Sequence, residues 1–280
     1  MKTIGLISNT KKDIKLKNTS MIIDWLLKKN CNIYIPENIS NILNAPNLEK
    51  EENKIYKESD FIIVLGGDGT FLRAAREASL YNTPILGINL GTLGFLTEVD
   101  KNSSFTVLEK VLNGEYYIET RMMLETNVNN NKNHLISLND VVISRSSLSR
   151  IIDFKIYIND KFVDNYTADG VIISSPTGST AYNLSAGGPI LEPSTNMMGI
   201  TPICPHSLYA RSIVVSSEDI ITIEIGENLY FDIILTIDGQ MGYRLKNNDI
   251  VSIKKSHYKT HLIRTKEYNF YDVLRKKLLG

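Results

Sequence analysis

Gly66-Gly67-Asp68-Gly69 sets one carboxylate among three glycines. Glycine lets the main chain come close to a ligand. A strand-to-helix turn at that point aims free N–H groups at an anion. Phosphate repels a carboxylate, so Asp68 makes sense either as a holder of Mg²⁺ or as the acceptor of a proton from a hydroxyl that attacks phosphorus. The plain alternative is a tight turn with Asp68 as the helix N-cap.

A second run, from Tyr166 to Pro189, carries Asp169-Gly170 before an apolar strand and Pro176-Thr177-Gly178-Ser179-Thr180-Ala181-Tyr182 after it. The hydroxyls of Thr177, Ser179 and Thr180 are donors for phosphate or ribose oxygens, and Tyr182 offers a ring for stacking on a base. The competing reading is a Pro-Thr-Gly turn whose hydroxyls cap a helix. Leu138-Asn139-Asp140-Val141-Val142 places two polar groups at the head of an apolar strand. Strand neighbours face opposite ways, so at most one of the two points into a given pocket unless the backbone bends. Arg150 stands just before another strand with the charge to neutralise phosphate, and Asp238-Gly239-Gln240 has a hairpin-turn composition. His134, His206, His257 and His261 have no ligand spacing, and no protein ligand is assigned to a metal.

The elements that must hold these residues come in two textures. Residues 61–65 are five apolar residues in a row, the pattern of a strand buried in a parallel sheet. A helix rich in good formers follows from Thr70. Before it, residues 3–7 and 32–35 read as strands. Met21, Ile22, Trp25 and Leu26 mark the apolar face of a helix ending near Asn30, with Trp25 in core packing. Residues 37–59 read as a mobile excursion plus a short helix over 48–58. Residues 84–88 form the next strand, leading into Gly91-Thr92-Leu93-Gly94-Phe95-Leu96, and 105–112 a helix stopped by Asn113-Gly114. Alternating strands and helices give an α/β domain with a parallel sheet, whose ligands sit beyond the carboxyl ends of strands.

After about residue 118, short β-rich runs dominate: 117–128, 134–144, 151–158, 171–174, 212–215, 220–225, 231–237, 250–254 and 258–263. Asn159-Asp160 and Asn247-Asn248-Asp249 punctuate them, which reads as an antiparallel β domain. Helical character returns over 271–279. The expected division is 1–118, 119–265 and a helical tail, 266–280, returning to the first domain.

The chain has 280 residues, 42% apolar and 22% charged, with zero formal net charge. A real core is affordable, and no global basic field argues for nucleic acid. Lys11-Lys12, Lys28-Lys29 and Arg275-Lys276-Lys277 are short enough to be solvated surface. Two distant cysteines suit a reducing compartment. No apolar run is long enough for a signal peptide or a membrane span. The expectation is a cytoplasmic protein with no membrane and no nucleic-acid partner.

Taken in order, these motifs resemble the NAD kinases of bacteria. The likeness runs through Gly66-Gly67-Asp68-Gly69-Thr70, Gly91 to Leu96, Leu138-Asn139-Asp140 and Asp169-Gly170. It continues through Pro176 to Tyr182, Leu184-Ser185-Ala186-Gly187-Gly188-Pro189-Ile190, Pro205-His206-Ser207-Leu208 and Asp238-Gly239-Gln240. The first motif is shared with diacylglycerol and sphingosine kinases. The run ending Thr180-Ala181-Tyr182 is far more specific.

The resemblance implies an N-terminal α/β domain of the NAD kinase/diacylglycerol kinase-like kind and a C-terminal antiparallel β-sandwich-like domain. It implies phosphorylation of the 2′-hydroxyl of the adenosine ribose of NAD, giving NADP, with ATP or another phosphate donor and Mg²⁺. Asp68 becomes the general base or metal-organising carboxylate, and Gly69 lies against the dinucleotide. Asn139 and Asp140 contact its ribose and phosphate region. Thr167 and Asp169 lie at the adenosine end, with Arg150 nearby. Thr180, Ala181, Tyr182, Asn183, Leu184 and Ser185 wall the adenine site, Cys204 and Gln240 match lining positions, and Arg73 is a phosphate contact. A homodimer or homotetramer is expected. The family usually has Asn-Glu where this chain has Asn139-Asp140, and threonine where it has Ser175. Two rivals are a diacylglycerol-type lipid kinase, which needs a membrane-docking surface, and a dinucleotide-binding sensor without turnover, which the intact Asp68 argues against.

Overall fold

The computed structural model describes residues 1–91, 94–97, 99–131, 134–146, 151–207, 209–227, 232–265 and 269–278. The chain divides into two compact units, Met1–Thr120 with Thr260–Gly280, and Arg121–Lys259.

The first unit runs β1 (Thr3–Ser8), α1 (Lys17–Lys28), β2 (Asn32–Tyr34), α2 (Glu37–Leu43), α3 (Glu52–Glu58), β3 (Phe61–Gly66), α4 (Asp68–Ser79), β4 (Ile85–Asn89), β5 (Val99–Asp100) and α5 (Ser104–Leu112). Its strands pair in parallel in the order β2-β1-β3-β4-β5. Every residue of β3 is buried, which is why its sequence is continuously apolar. Leu6, Ile63, Leu65 and Ile88 of the sheet pack with Ile22 and Leu26 of α1 and with Leu108 and Val111 of α5. Trp25 is partly buried at the rim of this core, its ring centroid 5.7 Å from that of Phe105.

The stretch 37–59 corrects its sequence reading. It holds two helices, α2 and α3, with a 3-10 turn at Pro46–Leu48 between them. The second helix starts at Glu52, not at Leu48. Each spans about two turns and buries only two residues, Ile39 and Ser40 in one, Ile55 and Tyr56 in the other. So few inward positions leave no period to read.

The chain continues with β6 (Tyr117–Val128), β7 (Leu135–Ser137), β8 (Asp140–Arg145), β9 (Ile152–Ile158), β10 (Lys161–Ala168), β11 (Gly170–Ser174), α6 (Tyr182–Ser185), β12 (Met197–Ile203), β13 (Ile213–Ser216), β14 (Ile221–Ile225), β15 (Ile233–Ile237), β16 (Met241–Leu245), β17 (Ile250–Arg264) and α7 (Phe270–Leu278). In the second unit one antiparallel sheet has the order β13-β12-β11-β8-β15-β16. A second antiparallel set pairs β10-β9-β14-β17. Val141, Ile143, Val171, Ile173 and Leu235 of the first pack with Phe154, Ile156, Ile221, Ile223 and Val251 of the second in a shared core. The result is a two-layer β packing.

Three strands of this unit escape the sequence reading. β10 and β16 turn mostly polar or exposed residues outward, and β12 contains Gly199 and Pro202, which interrupt a strand pattern. The run 134–144 is two strands broken at Leu138-Asn139, and the runs 250–254 and 258–263 are one 15-residue strand, β17. The turns at Asn159-Asp160 and Asp238-Gly239 have positive φ at both central residues (48° and 62°; 50° and 63°), the hairpin geometry their composition suggests.

The end of β17 brings the chain back to the first unit, where Leu262 pairs in parallel with Ile85 of β4. There α7 buries Phe270 and Val273 and carries the Lys277 ammonium to 5.7 Å from the Phe95 ring centroid.

Candidate active site

In the first unit, Gly67 and not Asp68 is the N-cap of α4; Asp68 is its first helical residue. The Asp68 carboxylate is turned toward the connection after β4. Its Oδ2 accepts the N–H of Phe95 at 3.0 Å. Its Oδ1 accepts the N–H groups of Leu96 and Thr97, both at 3.3 Å, and the Thr97 hydroxyl at 3.1 Å. Gly94 lies so close that a Cβ there would sit 1.9 Å from Asp68 Oδ1. The two glycine-bearing turns are therefore tied together through one carboxylate, and the N-cap reading is set aside. Thr92 and Leu93 of the second turn lie outside the described residues. Gly69 is exposed.

Five residues along α4 from Asp68, Arg73 lies around the helix, and its guanidinium pairs with Glu52 of α3 at 2.6 Å.

In the second unit, the break between β7 and β8 is built by Asp238. Its carboxylate accepts the N–H groups of Leu138 (3.2 Å), Asn139 (2.8 Å) and Asp140 (3.2 Å). The bend buries both polar residues, where a straight strand would turn one of them outward; Asn139 is 9% exposed and Asp140 4%. The Asn139 Oδ1 is buried with no hydrogen-bond partner among the described residues. Burial first, and then the charge of Asp238, push the Asp140 carboxyl up to about 7.

The Pro176–Thr180 turn packs on this bend. The Ser175 N–H donates to the Asn139 carbonyl at 2.9 Å, and the Ser175 hydroxyl donates to the Leu138 carbonyl. Gly178 is obligatory, because a Cβ would meet the Asn139 carbonyl oxygen at 2.1 Å. Gln240, exposed, ends the same turn that holds Asp238.

Not every hydroxyl and amide of this run faces a ligand. Ser179 is fully buried, its hydroxyl donating to the Pro176 carbonyl at 2.7 Å and accepting the N–H of Leu191 at 3.0 Å. Thr177 is buried over the equally buried Arg121, whose Nη1 donates to it at 3.4 Å. The Asn183 amide donates to the Ser179 and Pro189 carbonyls and accepts from the Thr201 hydroxyl. Thr180, Ala181 and Leu184 are half-buried, while Ser185 and the Tyr182 ring are exposed.

A second cluster forms where β8, β10, β11 and β12 end. Asp169 pairs with Arg145 Nε at 2.6 Å. The Thr167 hydroxyl donates to Asp153, and the His206 N–H donates to the Thr167 carbonyl at 2.9 Å. Cys204 is exposed, with φ of 45°. Arg150 lies outside the described residues. Arg145 was missed, because an arginine closing the apolar run Val141-Val142-Ile143 reads only as a strand end. Among the described residues no group of three or more His, Cys, Asp or Glu side chains is placed to hold a metal ion.

With this geometry in place, comparison with known proteins gives consistent results. Residues 4–116 match the family model for the ATP-NAD kinase N-terminal domain, and residues 138–265 that for the ATP-NAD kinase C-terminal domain. The chain is 50% identical over 281 residues to an NAD kinase of Caldanaerobacter subterraneus subsp. tengcongensis, covering 99% of each chain. It is 42% identical to an NAD kinase of Acetivibrio thermocellus, covering 99% of this chain and 97% of that one. Its fold is similar to yeast NADH kinase complexed with NADH, with a TM-score of 0.89, 26% identity, and coverage of 100% of this chain and 88% of that chain.

Proposed function

The chain belongs to the NAD kinase family, and from that premise we propose how its own residues perform the reaction. It is a phosphotransferase that makes NADP from NAD. The acceptor is the 2′-hydroxyl of the adenosine ribose, and ATP is the donor. A ribose hydroxyl is a poor nucleophile at neutral pH. Asp68 takes its proton as the oxygen attacks the terminal phosphorus, and ADP leaves. The observation that carries this reading is the seat of Asp68: a carboxylate at the head of α4, beside the exposed Gly69, held by the backbone of the neighbouring turn. A carboxylate offers about four acceptor positions. To accept the proton, Asp68 gives up one of its two 3.3 Å donors, Leu96 or Thr97.

Asn139 and Asp140 hold the dinucleotide. The Asn139 Oδ1, unpartnered among the described residues, is an acceptor for a ligand hydroxyl or amino group, and Asp140, whose carboxyl burial and Asp238 raise, is a donor when protonated and an acceptor when not. Tyr182 is the stacking ring, with Thr180, Ala181, Leu184 and Ser185 around it. Thr167 and Asp169, the latter paired with Arg145, form the adenosine end, and Cys204 and Gln240 are further lining residues of the site.

At the glycine turn Asp68 is the carboxylate that would meet a divalent cation, and among the described residues no group of three or more His, Cys, Asp or Glu would hold it, which suits Mg²⁺ carried largely by substrate phosphates. When bound, it supplies charge neutralisation to the transferring phosphoryl group. We also propose a homodimer or homotetramer, supported by the open edges of β13 and β16, and a cytoplasmic location, supported by two free cysteines. The lipid-kinase and sensor readings are not favoured, since both domain matches and the relatives reported above are NAD kinases or NADH kinase.

Asp68→Asn tests the assignment. NADP formation from NAD and ATP should fall in kcat by roughly 10²–10⁴, the usual worth of a general base, with an unchanged circular dichroism spectrum. Parent-like turnover by the folded variant would remove Asp68 from the chemistry.

A further inference from the structure

Strands β1 and β3 are parallel neighbours, with Ser8 opposite Leu65, so the loop after β1 and the glycine turn after β3 leave the same edge of the sheet. Asn9 binds the two together. Its N–H donates to the Leu65 carbonyl at 2.9 Å, and its amide donates to the Thr70 hydroxyl, in the first turn of α4, at 2.9 Å. Its Oδ1 accepts the N–H groups of Lys11 (3.0 Å) and Lys12 (3.1 Å), folding the loop back on itself.

That fold sets the Lys12 ammonium on the glycine turn. Its Nζ lies 2.7 Å from where a Cβ of Gly67 would stand. Lys12 makes no side-chain hydrogen bond or ion pair with a described residue. The nearby carboxylate, Asp68, is taken up by Phe95, Leu96 and Thr97. The amino end of the 12-residue α4 is itself partly positive. An unpaired ammonium held against it is repelled until an anion joins the two. The reaction brings such an anion, the phosphate chain of the donor.

We propose that Lys12 binds the donor's phosphates at the Gly66–Gly69 turn, with Asn9 as the residue that positions it. This rests on the NAD kinase reading and adds to it a donor-binding residue that the sequence alone files under solvated surface. A lysine suits the role as a mobile point charge with three donors.

The test compares Lys12→Ala, Lys12→Arg and, as a control on the same loop, Lys11→Ala. KM for ATP, KM for NAD, Tm and the affinity of the free protein for inorganic tripolyphosphate are measured on each. Lys12→Ala should raise KM for ATP and weaken tripolyphosphate binding together, by roughly 10- to 100-fold, the worth of one charge-assisted contact. KM for NAD and Tm should stay near the parent values, Lys12→Arg should recover most of the loss, and Lys11→Ala should behave as the parent. If Lys12→Ala kept the parent KM for ATP and tripolyphosphate affinity, or if Lys11→Ala lost as much, the proposal would be overturned. Should Lys12→Ala lower Tm, Lys12→Met, which keeps the aliphatic stem, takes its place in the same comparison. A parent protein that makes no NADP from NAD and ATP would instead defeat the functional reading, and the tripolyphosphate measurement would still decide the role of Lys12.

Discussion

Asp140 is a carboxyl group cut off from water with a second carboxylate, Asp238, beside it, and folding raises it from 3.8 to about 7. Below about pH 4 it is protonated whether the chain is folded or not. Between about pH 4 and 7 the unfolded chain releases the proton and the folded chain keeps it, so stability falls as pH rises. Above pH 7 the loss is complete, on the order of 4 kcal/mol. Asp140→Asn should therefore be more stable than the parent above neutral pH and should flatten the slope between pH 4 and 7. Urea unfolding at pH 5 and pH 8 reads both, and an unchanged pH profile in the variant would contradict the argument. The residue also stands where the family usually has glutamate, one methylene longer.

Elements need their ends satisfied as much as their faces. Helix α1 has no side-chain cap from its own N-cap residue, Leu16, whose φ is 52°. Asp13 does the work from three residues earlier, accepting the N–H groups of Asn18 (3.0 Å) and Thr19 (2.8 Å) and the Thr19 hydroxyl (2.6 Å). Burial raises its carboxyl, but the hydrogen bonds from Thr19 and Asn18 outweigh burial and hold it below its ordinary value. A lowered carboxyl adds stability above its unfolded value of 3.8, and that stability is lost as pH falls. Asp13→Ala should cost about 1–2 kcal/mol at pH 7, with the difference from the parent shrinking in acid, as read by denaturant titration. The same contrast governs which elements could be read beforehand. β3 is buried on both faces and announces itself. β10 and β16 expose half or more of their residues and do not.

At the scale of the molecule, 31 basic and 31 acidic residues cancel, so recognition of charged substrates rests on local groups and not on a global field. The six-stranded sheet ends in β13 and β16, which leave Val214 and Tyr243 exposed. Open edges with apolar side chains are the kind of surface a second copy covers. Light scattering of the purified protein should give two or four times 31.6 kDa. A mass of one chain at micromolar concentration would rule out the proposed assembly.

Sequence alone determined the alternation of strand and helix, the antiparallel second half, the two glycine-bearing turns and the family they resemble. Each of these is written in neighbouring residues: burial on both faces forces an apolar run, and close backbone approach forces glycine. Tertiary structure decided what those residues touch. Asp68 meets donors 27 to 29 residues away, and Asp238 shapes a bend 98 to 100 residues before it. Asn183 and Ser179 turn inward, Arg145 finds Asp169, and Lys12 comes to rest on Gly67. Such meetings follow from strand order and register, which no local spacing records.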